Sequence, residues 1–226
     1  MAQPQSPTGK RVALWGGALI VLGGLVLALA WSQSQSTKPQ PSSESAANVP
    51  AVTERDHVKG NAMATSVLIE YSDFQCPACK AYYPVVSKIA DELGTKVQVA
   101  YRNYPLSQLH KNARTAASAA EAAGKQGKFW EMHDVLFINQ EKWSESKDVK
   151  RDFSAYAKAI GLSVEQFTQD LSDKTLQEKI DADLSGGTAA GVQGTPTFFL
   201  NRKKLESTPP NYEQFKERIE ESVGKP

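Results

Sequence analysis

The chain has 226 residues, enough for one ordinary domain with appendages. Its 26 Lys and Arg against 25 Asp and Glu leave a formal charge of +1, which excludes bulk attraction to nucleic acid as an organising principle. No run of like charge is long enough to serve as a binding arm.

From Val12 to Trp31, VALWGGALIVLGGLVLALAW, no residue is charged. A helix of about 20 residues rises about 30 Å, the thickness of a bilayer core. Lys10 and Arg11 precede it, so the positive-inside rule keeps residues 1–11 in the cytoplasm and sends the rest across. The alternative is a signal peptide cut after ALA at 28–30, which yields a secreted form, but the apolar run exceeds the ~7–15 residues of such a segment. Either way the remainder lies outside the cytoplasm. Residues 32–56 are rich in Ser, Gln, Pro and Ala and are expected to form a flexible linker. The folded domain is expected over 57–226.

SVLIEYS at 66–72 is apolar and reads as a buried strand. Val85, Val86, Ile89 and Leu93 then recur at helical spacing, with Gly94 as a stop. KVQVAYRNY at 96–104 alternates as a second strand. This β-α-β order predicts two parallel strands. Helical signals dominate about 106–190. Ala113, Ala116, Ala117 and Ala120 give a small-residue face, and Phe129, Met132 and Leu136 a bulky one. Val149, Phe153, Tyr156, Ala157 and Ile160 form a stripe closed by Gly161. SVEQ at 163–166 opens another helix as a capping box, and Gly186 and Gly187 are expected to end the last helix of the run. TPTFFLN at 195–201 restores strand character, with a hairpin partner near Lys204–Glu206. NYEQFKERIEESV closes the chain as a helix.

The two cysteines, Cys76 and Cys79, lie in DFQCPACKAYY. Such a pair can be redox-active, half of a metal site, or a structural bridge. A bridge across so short a loop removes little unfolded-chain entropy. Zinc wants four ligands, and His57, His110 and His133 show no metal-ligand spacing. The redox reading fits the position. Cys76 falls where loop becomes helix, and Pro77 suits the first turn. Unpaired N–H groups there stabilise a thiolate and lower its pKa. Cys79 lies one turn on, able to attack a mixed disulfide formed by Cys76.

EYSDFQCPACKAYYP together with GVQGTPTFFLN resembles the DsbA-like branch of the thioredoxin superfamily of thiol–disulfide oxidoreductases, over about residues 56–225. The resemblance implies an α/β thioredoxin-like fold with a large helical insertion. It implies that Cys76 is the nucleophile and Cys79 the resolving thiol. Glu70 would carry the proton of the buried cysteine. Pro196 would be a cis-proline facing the pair, and Thr195, with Pro77 and Ala78, would line the substrate site. Exchange needs no cofactor and no metal. The implied partners are exported proteins with cysteines and a membrane redox partner, quinone-linked by family analogy. The oxidant direction is expected, with reductase or isomerase as the alternative. A non-catalytic tethered chaperone or metal carrier is the alternative of another class. The sequence departs from the strongest oxidants of the family at Ala78, where they carry histidine. Asn201-Arg202 also stands where Asn-Gly is common in the following hairpin.

Overall fold

The structure, a computed structural model, describes residues 49–223. The expected N-terminal segment 1–11, the anchor at 12–31 and the linker up to residue 48 lie outside the described residues. Among the described residues no helix is long and apolar enough to cross a membrane.

The elements in chain order are β1 (His57–Lys59), β2 (Ser66–Ser72), α1 (Pro77–Leu93), β3 (Val97–Asn103), α2 (Ala113–Lys125), α3 (Phe129–Ile138) and α4 (Gln140–Trp143). Then follow α5 (Val149–Ala159), α6 (Val164–Asp170), α7 (Lys174–Ala189), β4 (Thr197–Leu200), β5 (Lys203–Lys204) and α8 (Tyr212–Ser222). The five strands form one sheet in the order β1-β3-β2-β4-β5. β2 and β3 are parallel, as the β-α-β reading requires, and the other pairs are antiparallel. β2 is the central strand, and six of its seven residues are buried.

Alternation along the strands divides the core. Leu68, Val97, Val99, Phe198 and Leu200 face α1 and α8, where Val86, Ile89, Phe215 and Ile219 meet them. Ile69, Tyr71, Ala100 and Phe199 face the other way, toward Val49, Ala190 and Val192. The helices α2–α7 form the insertion, which has its own core of alanines with Met132, Leu136, Trp143, Phe153 and Phe167. That core reaches Phe74, Cys76 and Cys79, so the insertion packs directly on the cysteine loop. The overall arrangement is a thioredoxin-like α/β fold carrying a DsbA-like helical insertion.

Three local readings change. β1 was not expected; it is three residues long and too short to show a periodicity. Gly186 and Gly187 do not end a helix but lie inside α7, which runs to Ala189. A Cβ at Gly187 would sit 2.8 Å from ring carbons of Tyr71 and Tyr104, so the glycine lets helix meet sheet. The stop is Gly191, at φ +78°. Finally, residues 49–56, assigned to the flexible linker, are fixed on the sheet. Val49 is wholly buried. Arg102 makes a two-pronged ion pair with Asp56 at 2.7 and 3.1 Å. Its remaining N–H groups donate to the carbonyls of Pro50 and Ala51, each at 3.0 Å, and to the Tyr71 hydroxyl at 3.2 Å. Burial alone would raise the Asp56 carboxyl; the Arg102 guanidinium and the Thr53 N–H outweigh it and hold it below the usual carboxylate range.

The Asn201-Arg202 turn needs two left-handed residues, and both adopt that conformation, at φ 50° and 68°. Side chains hold it. Asn201 Oδ1 accepts from the Val67 N–H at 2.9 Å, and Arg202 Nε donates to the Val49 carbonyl at 3.1 Å.

Candidate active site

Cys76 is the N-cap of α1, with extended backbone, and Pro77 follows as the first helical residue. Proline costs no hydrogen bond at that position and its ring fixes the helical φ. The Cys76 N–H donates to the Asp73 carbonyl at 3.0 Å and its carbonyl accepts from Lys80 N–H at 3.1 Å, which locks the turn from strand to helix. Cys79 follows one turn later and is wholly buried, while Cys76 is 7% exposed. Both are free thiols.

The two sulfurs differ sharply. The Cys79 side chain is the largest influence on Cys76, donating to its sulfur; the Thr195 side chain and the N–H groups of Cys79 and Ala78 add to it. Together they outweigh burial and bring the Cys76 thiol down to about 5. Cys79 moves the other way. Burial pushes it well above the ordinary thiol range, and the neighbouring Cys76 and Glu70 charges push it further. The helix N-terminus thus contributes through two named N–H groups, but the partner thiol contributes more.

Thr195 and Pro196 sit across from Cys76 on the loop before β4. Their peptide bond is cis. As a thiol, Cys76 donates to the Thr195 carbonyl at 3.4 Å. The Thr195 hydroxyl is buried beside the Cys76 sulfur and has no other partner, so it is the donor at hand when a thiolate forms. Pro77 and Ala78 are exposed beside the sulfur, and Thr195 and Pro196 are half-buried. Of the sequence-predicted residues, Cys79, Pro77, Ala78 and Thr195 lie at the Cys76 sulfur, with Pro196 next to Thr195.

Glu70 lies on β2, 3% exposed. Burial raises its carboxyl to about 7, against the opposing effect of the Ser72 hydroxyl. A carboxyl near neutrality can both give and take a proton at working pH.

Sequence reasoning missed the groups that hold the cysteine loop. Asp73 is wholly buried and accepts from Gln75 N–H at 2.7 Å, Leu106 N–H at 2.9 Å and His110 Nδ1 at 2.7 Å. The first contact is a local Asx turn, legible in SDFQ; the other two bridge distant parts of the chain. Gln140 Nε2 donates to the Phe74 carbonyl at 2.8 Å and the Cys76 carbonyl at 2.9 Å. Gln75 is held between Ser144 carbonyl and Asn112 N–H. These amides tie the insertion to the redox turn. An open groove of about 670 Å³ runs beside it, with Pro77, Ala81, Pro84 and Leu109 as its apolar lining and Lys80 and Glu141 among its charges. The histidines are dispersed: His57 pairs with Glu121 at 2.8 Å, His110 with Asp73, and His133 sits in an aromatic cage with Nδ1 at 2.8 Å from Asp134.

Comparison with known proteins agrees with this architecture. The family model described as Thioredoxin matches residues 52–221. BdbD from Bacillus subtilis, in its oxidised crystal structure, superposes with a TM-score of 0.65 at 25% identity, over 74% of this chain and 92% of that one. α-DsbA1 from Wolbachia pipientis superposes with a TM-score of 0.67 at 21% identity, over 78% and 94%. A curated relative, Na(+)/H(+) antiporter NhaA 1 of Salinispora arenicola, is 38% identical over 156 residues, 69% of this chain. The chain spans 23% of that relative's length.

Proposed function

We propose, because the chain belongs to the thioredoxin family and is an oxidoreductase of its DsbA-like branch, that its Cys76–Cys79 disulfide oxidises cysteines of exported proteins. The observation that carries this reading is the split between the sulfurs, Cys76 brought down to about 5 and Cys79 pushed up. A sulfur of low pKa is a good leaving group, so a disulfide containing it is readily opened and its reduced form is favoured.

In the proposed reaction a substrate thiolate attacks Cys76. The Cys76–Cys79 bond breaks, Cys79 leaves with the electron pair and is protonated, and Glu70 supplies the proton. A second substrate thiolate then attacks the substrate sulfur of the mixed disulfide, and Cys76 leaves as a thiolate that needs no proton near neutral pH. The substrate gains a disulfide and the chain is left as a dithiol. The backbone at Thr195 and Pro196 pairs with the extended substrate, and Pro77 and Ala78 form the near rim. No cofactor takes part in the exchange. A membrane redox partner, quinone-linked, restores the disulfide. The site works outside the cytoplasm, on a domain anchored through residues 12–31.

Equilibration with glutathione, read by thiol alkylation, tests the direction. The potential should fall above thioredoxin's ≈ −270 mV and short of ≈ −120 mV. Ala78 adds no side-chain donor to the thiolate, so Ala78→His should move the value toward the oxidising end. A potential at or below thioredoxin's would establish the reductase reading instead.

A further inference from the structure

Cys79 poses a problem of access. Its sulfur is wholly buried, yet it must gain a proton each time the disulfide opens and lose one each time it closes. Glu70 is the buried acid of the right strength, but it acts on Cys79 through its charge alone, with no hydrogen bond between them. Glu70 and Ser72 are two apart on the strand, so they point to the same face, about 7 Å apart along it. Ser72 is the nearer of the two to the turn from which α1 rises.

Two hydroxyls in this region stand out. Ser72 Oγ and Tyr101 Oη are both buried and neither closes a hydrogen bond. Tyr101 sits on β3 directly opposite Glu70 in the parallel register. Buried hydroxyls are normally paired, so two unpaired ones at one spot call for an explanation. Glu70 and Ser72 share one face of β2, Tyr101 stands opposite Glu70, and Tyr101 lies in one buried cluster with Cys79; set among them, the Ser72 hydroxyl favours the charged form of the Glu70 carboxyl, the Cys79 thiol and the Tyr101 hydroxyl. It is the neighbour that all three share.

We propose that the Ser72 hydroxyl is the proton bridge between Cys79 and Glu70, a role that rests on the exchange reading above. A hydroxyl can accept one proton while donating another, and it rotates freely to do so. When a substrate thiolate opens the disulfide, the S–S bond breaks and the electron pair stays on Cys79. The Ser72 proton passes to Cys79 sulfur as the Glu70 proton passes to Ser72 oxygen. Ser72 ends as it began, Cys79 is a thiol and Glu70 a carboxylate. Reoxidation runs the same two transfers backwards. The unpaired geometry is what a bridge requires: a hydroxyl locked to one partner could not serve two.

The groups facing the bridge are few. β2 and its loop bring Glu70 and Asp73, α1 brings Cys76 and Cys79, and β3 brings Tyr101 and, directly opposite Ser72, Asn103, whose Oδ1 is buried and unpaired and whose Nδ2 donates to Glu121 and Asp183. His133 of α3 packs edge-on to the Tyr101 ring at 5.2 Å. Asp73 is committed to His110 and two backbone N–H groups, which leaves Glu70 as the acid that exchanges with the bridge.

The test uses the full chain in its oxidised form, reduced by glutathione from pH 5.5 to 8.5 and quenched by alkylation. The wild type should show an inflection near 7 from Glu70. Ser72→Ala should lose that inflection and slow opening about 10- to 100-fold below it, while the Cys76 thiolate absorbance still titrates near 5. Ser72→Thr, which keeps a hydroxyl, should recover the rate to within about twofold. Ser72→Ala with Glu70→Gln should be no slower than Glu70→Gln alone, since both remove one path. Additive losses, or a wild-type profile in Ser72→Ala, would overturn the bridge and leave the oxidoreductase reading intact. A wild type that does not exchange with glutathione would defeat the oxidoreductase reading and the bridge with it. Should Ser72→Ala not fold, mixtures of light and heavy water decide the matter on the wild type: a curved dependence of rate on deuterium fraction fits two protons in flight, and a straight or flat one excludes them.

Discussion

Serine in place of Cys76 should abolish thiol exchange, and serine in place of Cys79 should turn the chain into a trap. Serine cannot form the Cys76–Cys79 disulfide that a substrate thiolate attacks, nor attack or leave as an anion near neutral pH, where its hydroxyl is not ionised. Loss of a nucleophile of this kind registers as a rate loss on the order of a thousandfold or more. Cys79→Ser leaves Cys76 able to form mixed disulfides but removes the buried thiol that would resolve them. Substrates should therefore accumulate on Cys76 and run as higher-mass species on non-reducing gels, each released by reductant. Cys76→Ser should collect almost none, because Cys79 is wholly buried and its thiol is held protonated. Equal trapping by the two variants would falsify the assignment of roles.

Glu70→Gln should stabilise the oxidised chain by about 3 kcal/mol above pH 7. The folded carboxyl titrates at about 7 against an ordinary 4.5. Between those values the folded state holds a proton that the unfolded state has released, so stability falls as pH rises through the window. The fall is about 1.36 kcal/mol per pH unit and is complete above 7. Glutamine removes it. The reduced chain behaves differently because Cys76 pulls the other way. Its thiol titrates at about 5 when folded and near 9.0 when unfolded. Across that window the unfolded state holds the extra proton, so stability rises with pH. From pH 5 to 7 the two slopes cancel, and from 7 to 9 the reduced chain gains. Urea unfolding of both redox forms from pH 4 to 8 measures this. The oxidised wild type should lose stability up to pH 7 while the reduced one stays level. A Glu70→Gln chain that kept the wild-type slope would rule out a raised carboxyl.

Much of this was legible because it is local. The cysteine spacing, the proline after Cys76, the β-α-β periodicity and the Ala-rich and aromatic helix faces each declare themselves within a few residues. Glu70 was legible too, as a charge in a strand otherwise fit for burial. What was hidden depends on pairs remote in sequence. Gln140 belongs to a four-residue helix with no periodic signal, and its work is done on carbonyls of Phe74 and Cys76. Asp73 shows its Asx turn in the sequence but not His110 or Leu106. Gly187 read as a helix stop because glycine often is one; the reason for it lies in two tyrosine rings from other elements. Residues 49–56 read as linker because their composition lacks large apolar groups, and only Arg102 on β3 reveals why they are held.

That hold makes the bond after Arg55 a reporter of local opening. Arg55 is exposed and is a natural site for trypsin, yet its neighbours on both sides are gripped by one guanidinium. A protease needs an extended stretch of free backbone, so the cut must wait until the segment peels from the sheet. Asp56→Asn removes the counter-charge of a buried Arg102 and should bring the cut forward markedly, with the fragments read by mass spectrometry. Equal cleavage of wild type and variant would mean the Asp56 pair does not govern opening, and that the Arg102 bonds to the Pro50 and Ala51 carbonyls, with Val49 and Arg202, hold the segment. The smallest piece able to resist digestion as a unit accordingly begins no later than Val49, and trimming to His57 would strip a buried cation of its partner.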